Sequence, residues 1–86
     1  MNINELIAII KNKLESNVDI DNVKIEDKSF LHKNHKGNQK EKFHLKIMIK
    51  SQELKKMNKI ESNKKIYRLL ENEVKNFIHS IQILIY

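Results

Sequence analysis

Apolar residues at Ile3, Leu6, Ile7, Ile10 and Leu14 recur at three-to-four spacing, which predicts an amphipathic helix over residues 3–16 with Asn2 or Asn4 as its cap. The period then changes. Val23 and Ile25 alternate with Lys24 and Glu26, and Phe43, Leu45, Ile47 and Ile49 alternate with His44, Lys46, Met48 and Lys50, the signature of two half-buried strands. Between them, residues 28–42 are hydrophilic, contain Gly37, and are too numerous for a tight hairpin; long loops in compact domains are disproportionately functional. The stretch QELKKMNKIESNKK after Ser51 is polar, with Leu54, Met57 and Ile60 as apolar anchors, and predicts a short helical turn. Ile66, Leu69, Leu70, Val74, Phe77 and Ile78 form an apolar stripe that predicts one helix over residues 61–77. The chain closes with SIQILIY, in which Ile81, Ile83 and Ile85 alternate with Gln82, Leu84 and Tyr86 as in a third strand.

The order α-β-β-α-(α)-β predicts an α+β fold: a small three-stranded mixed sheet with its helices packed on one face, so that every element buries its apolar side in one shared core. A chain of 86 residues supports one such core, and with no proline, repeat or low-complexity linker it reads as a single domain over residues 1–86. No apolar run approaches the roughly 20 residues that a membrane span needs. The start MNINELIAIIKNKLE carries an early acid and a helical period, unlike a signal peptide. Together with the absence of cysteine, this predicts a soluble cytoplasmic protein.

The net charge of +6 invites a nucleic-acid reading, since clustered cations neutralise phosphate and release counterions. Composition weakens it. All but one of the basic residues are lysine, and lysine, isoleucine and asparagine make up nearly half the chain, a bias that an AT-rich coding sequence produces without selection for binding. Arg68 alone offers the bidentate geometry suited to phosphate and guanine. Lys55, Lys56, Lys59, Lys64, Lys65 and Arg68 are the candidate electrostatic footprint.

Candidate chemistry is confined to histidine. There is no nucleophile beside a base, no paired carboxylates on a rigid element and no phosphate-cradling glycine loop, so an enzyme is not expected. Without cysteine, imidazole is the remaining nitrogen or sulfur donor of useful affinity for a transition metal. His32 and His35 lie in the loop and His79 just before the last strand, so a fold that joins the loop to that strand would gather imidazoles from distant segments. The ordinary alternatives are a solvated loop for His32 and His35, and a polar residue closing a helix-strand junction for His79. His44, inside a strand, reads as a cross-strand packing or hydrogen-bonding residue.

The strings IEDKSFLHKNHKG, FHLKIMIKS, KKIYRLLENEV and FIHSIQI, in this order, resemble the BolA family over about residues 3–85. The family pattern runs through an acidic-serine segment, a histidine-containing loop with glycine, a T-H-F-x-V-x-I-V-S strand, an R-H-R-x-x-Y helix start and an I-H-A-L-x-I strand. The resemblance implies a BolA-like fold, similar to the type II KH domain, and partnership with monothiol glutaredoxins in iron-sulfur cluster handling. In such complexes a 2Fe-2S cluster bridges the two proteins. The glutaredoxin supplies cysteine and glutathione, and the BolA protein supplies histidine. His79 falls on the family's C-terminal histidine and His32 on its loop histidine, with His35 close enough to compete. Imidazole in place of thiolate on one iron raises the reduction potential, so a histidine-only partner would tune a cluster rather than build one. The isolated chain would be apo, and monomeric or weakly self-associating.

Three departures from the pattern stand out. Ser62, Asn63 and Lys64 precede Tyr67 where the family has R-H-R, which weakens the basic helix start. Lys56 replaces the glycine of an F-x-G segment, which implies a different turn geometry after the second strand. No T-P-x-E-W segment follows Tyr86, so contacts made by that tail would be absent or replaced. The rival reading is a DNA-binding transcriptional regulator of the BolA type. A KH clamp needs the two glycines of a G-x-x-G loop, and this chain has only Gly37, so weak, salt-sensitive binding is expected of it.

Overall fold

The computed structural model describes residues 2–29 and 42–86. Its first element is a helix, α1 (Ile3–Asn17), whose start is held by Asn2: the side-chain Oδ1 accepts from the Glu5 backbone N–H at 2.8 Å, and Nδ2 donates back to Glu5 Oε1 at 3.1 Å. Strands β1 (Asn22–Asp27) and β2 (Phe43–Lys50) follow, then α2 (Gln52–Lys55), α3 (Lys59–Leu69), α4 (Glu71–Phe77) and β3 (Ile78–Ile85).

Among the described residues the strands form one mixed sheet in the order β1-β2-β3, antiparallel between β1 and β2 and parallel between β2 and β3. The register aligns the apolar positions across all three strands: Val23, Ile49 and Ile85 make one row, and Ile25, Ile47 and Ile83 the next. This face meets Leu6, Ile10 and Leu14 of α1, Leu54 of α2 and Ile66 of α3 in a single core cluster. The α+β class and the helix stripe facing the sheet thus follow the periodicity, because each period places its apolar side chains on one side of its element.

Several boundaries differ from the sequence-based expectation: α1 ends one residue later and α3 starts two residues earlier, at Lys59. The predicted helix over 61–77 is divided at Leu70, whose backbone leaves the helical region at φ −102°, ψ 13° and whose side chain is fully buried. Neither glycine nor proline marks the break, and it is local: the Leu70 N–H still donates to the Ile66 carbonyl at 3.0 Å and the Val74 N–H to the Leu70 carbonyl at 2.8 Å, so the apolar stripe runs on from α3 into α4. The last strand starts at Ile78 rather than Ser80. Lys56, where the family pattern has glycine, adopts an ordinary right-handed helical conformation (φ −74°, ψ −18°), so this turn requires no positive φ.

Two polar ties secure the frame. Lys13 of α1 donates to both carboxylate oxygens of Glu73 at 2.8 Å, and Glu73 is buried on α4. Ser51 caps α2 by accepting from the Leu54 N–H at 3.2 Å while donating to the Asp19 carbonyl at 2.7 Å, which joins the α1-β1 connection to the end of β2.

Candidate metal centre

The candidate site is built at the end of the sheet where β2 and β3 begin. In the parallel ladder Phe43 pairs with Ile78, but the next residue, His44, pairs with Ser80, so β3 carries one extra residue, His79. A bulge of this kind locally resets the alternation of side chains. Ile78 and Ile81 therefore both pack on the core although they are three residues apart, and His79 and Ser80 are both exposed.

His44 lies against both of them. Its ring is buried, with the residue 5% exposed, although strict alternation would set it on the polar side of the strand with Lys46. Nδ1 and the Ser80 Oγ are 2.7 Å apart, a cross-strand hydrogen bond of the kind expected from its strand position. The His44 and His79 ring centroids are 4.8 Å apart with planes tilted by 55°, a favoured packing geometry for π-systems. One face of the exposed His79 ring is thereby braced by a buried neighbour.

The backbone of His44 also anchors the departing loop. Its carbonyl accepts from the Lys28 N–H at 2.7 Å, and its N–H donates to Ser29 Oγ at 3.1 Å. Ser29 N–H in turn donates to Asp27 Oδ1 at 2.9 Å. The chain thus leaves the sheet at Lys28 and Ser29, beside His44, and re-enters it at Phe43, the residue paired with Ile78. His32 and His35 themselves lie outside the described residues. Among the described residues no three His, Cys, Asp or Glu side chains converge on one point. Among the described residues the donor on display is the accessible imidazole of His79, a type that suits a softer transition-metal centre completed by other ligands.

The lysine set is dispersed over α2, α3 and their connection. Lys55, Lys56 and Lys59 are exposed around the α2-α3 turn, and Lys64 and Arg68 are exposed on α3. Lys65 is committed to Glu53, with Nζ to Oε2 at 2.6 Å. That hydrogen bond, helped by the Asp19 N–H, holds the Glu53 carboxyl below its ordinary pKa. Lys64, Lys65 and Arg68 share a shallow depression with Glu61, so acidic side chains interrupt the positive surface.

His44 and Ser80 are the residues that sequence reasoning left outside the site. One signal was present: the three-residue step from Ile78 to Ile81 breaks the period of two that the rest of β3 keeps.

The profile of the BolA-like protein family matches residues 14–86. The DNA-binding transcriptional regulator BolA of Haemophilus influenzae is 29% identical over 75 residues, which cover 87% of this chain and 70% of the relative. Among solved structures, the BolA domain of SufE1 from Arabidopsis thaliana superposes with a TM-score of 0.75 at 29% identity, covering 91% of this chain and 86% of that one. BolA1 from the same plant superposes with a TM-score of 0.78 at 24% identity, covering 93% and 88%, a likeness of fold.

Proposed function

The chain belongs to the BolA-like protein family, and from that premise we propose that it is a non-enzymatic cytoplasmic partner of a monothiol glutaredoxin, with which it shares a 2Fe-2S cluster. The observation that carries this reading is the position of His79. It is exposed, held by His44 at 4.8 Å, and stands at the sheet end to which the histidine loop is tied through Lys28 and Ser29. His79 would be one ligand, and His32 or His35 the other from this chain. The glutaredoxin would supply cysteine and glutathione. The cluster so held would serve assembly, transfer or sensing, with a potential raised by its imidazole ligands. What this chain does is orient: the bulge projects His79 outward, Ser80 fixes the His44 ring, and His44 limits the motion of His79.

Mixing the protein with a cluster-loaded monothiol glutaredoxin and recording visible circular dichroism tests the reading. Wild type is expected to change the spectrum, His79→Ala to abolish the change, and one of His32→Ala and His35→Ala to alter it, which assigns the loop ligand. An unchanged spectrum with wild type rejects the shared cluster.

The second reading, a DNA-binding transcriptional regulator, is favoured by the function named for the Haemophilus relative and by exposed Lys55, Lys56, Lys59, Lys64 and Arg68. Interruption of that surface by Glu53 and Glu61 argues for weak, salt-sensitive contact with phosphate. Sequence-selective binding that survives moderate salt in a polarisation titration would reverse the order of the two readings.

A further inference from the structure

Among the described residues β3 is an edge strand, and it lacks two of the devices that usually protect an edge, charge and proline. From Ile78 to Ile85 it contains no charged residue and no proline. The other edge, β1, is shorter and carries Lys24, Glu26 and Asp27. Such charges and short lengths discourage strand addition, and β3 has neither.

The direction of the β3 backbone follows from two hydrogen bonds. Tyr86 N–H donates to the Ile49 carbonyl of β2 at 2.9 Å, so Tyr86 turns its peptide groups into the sheet. Ile81 turns its carbonyl the opposite way, where the Tyr67 hydroxyl approaches it at 3.5 Å. Orientation alternates residue by residue along a parallel edge strand, so the N–H and C=O of Ile83 and Ile85 point outward, as those of Ile81 do. Beside Ile83 and Ile85 runs a groove whose opposite wall is the α2-α3 segment. Half-buried Met57 supplies apolar lining, and Lys55 and Lys59, both exposed, supply positive charge.

We propose that this groove binds an extended acidic peptide segment of a partner protein, which adds as a short strand to the outer edge of β3 and sets its carboxylates against Lys55 and Lys59. Outward peptide groups at alternate positions, with apolar lining between them, are the recognition elements of strand addition. Charge decides between occupants. A second copy pairing through β3 would bring two lysine groups together on chains of net charge +6. Single-stranded nucleic acid gains much of its affinity from bases stacked on aromatic rings, and none of the described residues that line the groove is aromatic. This surface is separate from the histidine site, so its test does not depend on the cluster.

The probe is a capped Glu-Val-Glu-Val-Glu peptide titrated into the full, isotope-labelled chain. Amide signals of Ile83 and Ile85 are expected to shift, and their hydrogen exchange to slow at least several-fold, while those of Val23 and Ile25 in β1 do not change. Binding should weaken about tenfold in Lys55→Glu/Lys59→Glu, whose exposed positions leave the fold intact, and should be lost when alternate peptide nitrogens of the probe are methylated. Unchanged exchange at Ile83 and Ile85 overturns the proposal, as does equal binding of the methylated probe. Tighter binding of oligothymidine to the same amides overturns it in favour of nucleic acid, and concentration-dependent dimerisation through β3 without peptide overturns it in favour of self-pairing.

Discussion

The imidazole of His44 is hydrogen-bonded to Ser80 across the β2-β3 ladder at 2.7 Å and, from that fixed position, packs against the ring of His79. A buried side chain thus sets the attitude of an exposed one. The bond and the ring contact form one unit because the bulge places His79 and Ser80 side by side opposite His44. Ser80→Ala is expected to cost about 1 kcal/mol, and His44→Ala about 2–3 kcal/mol, since it removes the bond and leaves a cavity. Urea unfolding of both variants and of the double variant gives the coupling, expected near 1 kcal/mol because the two residues are hydrogen-bonded to each other. In His44→Ala the His79 ring should also lose its fixed NMR shift, which a purely global loss of stability does not cause in the still-folded fraction.

The Lys13–Glu73 pair should respond asymmetrically. Glu73 is buried and Lys13 is partly exposed, so removing the lysine strands a charge that cannot reach water, whereas removing the carboxylate frees a lysine that can. Lys13→Ala is therefore expected to cost about 2–3 kcal/mol, and Glu73→Gln about 1 kcal/mol. Chemical denaturation at fixed pH and salt checks the order.

Ser51→Ala removes a helix cap and a buried tie to Asp19 in one step. The expected loss is about 1–2 kcal/mol. It should appear as a fall in Tm of roughly 4–15 °C for a domain of this size.

The pH dependence of stability should carry a contribution from Glu53. The Lys65 hydrogen bond, and then that of the Asp19 N–H, hold its folded-state pKa below the ordinary 4.5. As pH falls the unfolded chain takes up the proton first, so this stabilisation is complete above 4.5 and is lost as pH falls through the folded value. The urea midpoints of wild type and Glu53→Gln should therefore differ most at neutral pH and converge in acid. Added salt should narrow the neutral-pH difference, because the pair is partly exposed.

Local periodicity made most elements legible. Leu6, Ile10 and Leu14 mark the buried face of α1, and Leu45, Ile47 and Ile49 that of β2, because helix and strand periods repeat within a few residues. The cap was legible only as Asn2 or Asn4, and the structure selects Asn2. The break at Leu70 was not, since the stripe from Ile66 to Phe77 continues through it and no glycine or proline interrupts it. The burial of His44 was hidden by its alternation with Phe43 and Leu45, which assigned it to the polar face.

By itself the sequence determined most of the elements and their apolar faces, the α+β class and the choice of histidine as the candidate chemistry. Each of these depends on residues close together in the chain or on residue type. The tertiary structure alone decided the register that sets His44 opposite Ser80, 36 residues away, the bulge that turns His79 outward, and the groove between β3 and the α2-α3 turn. A shift of one residue in a ladder exchanges the two faces of a strand, and pairing energy summed over the whole sheet selects the shift.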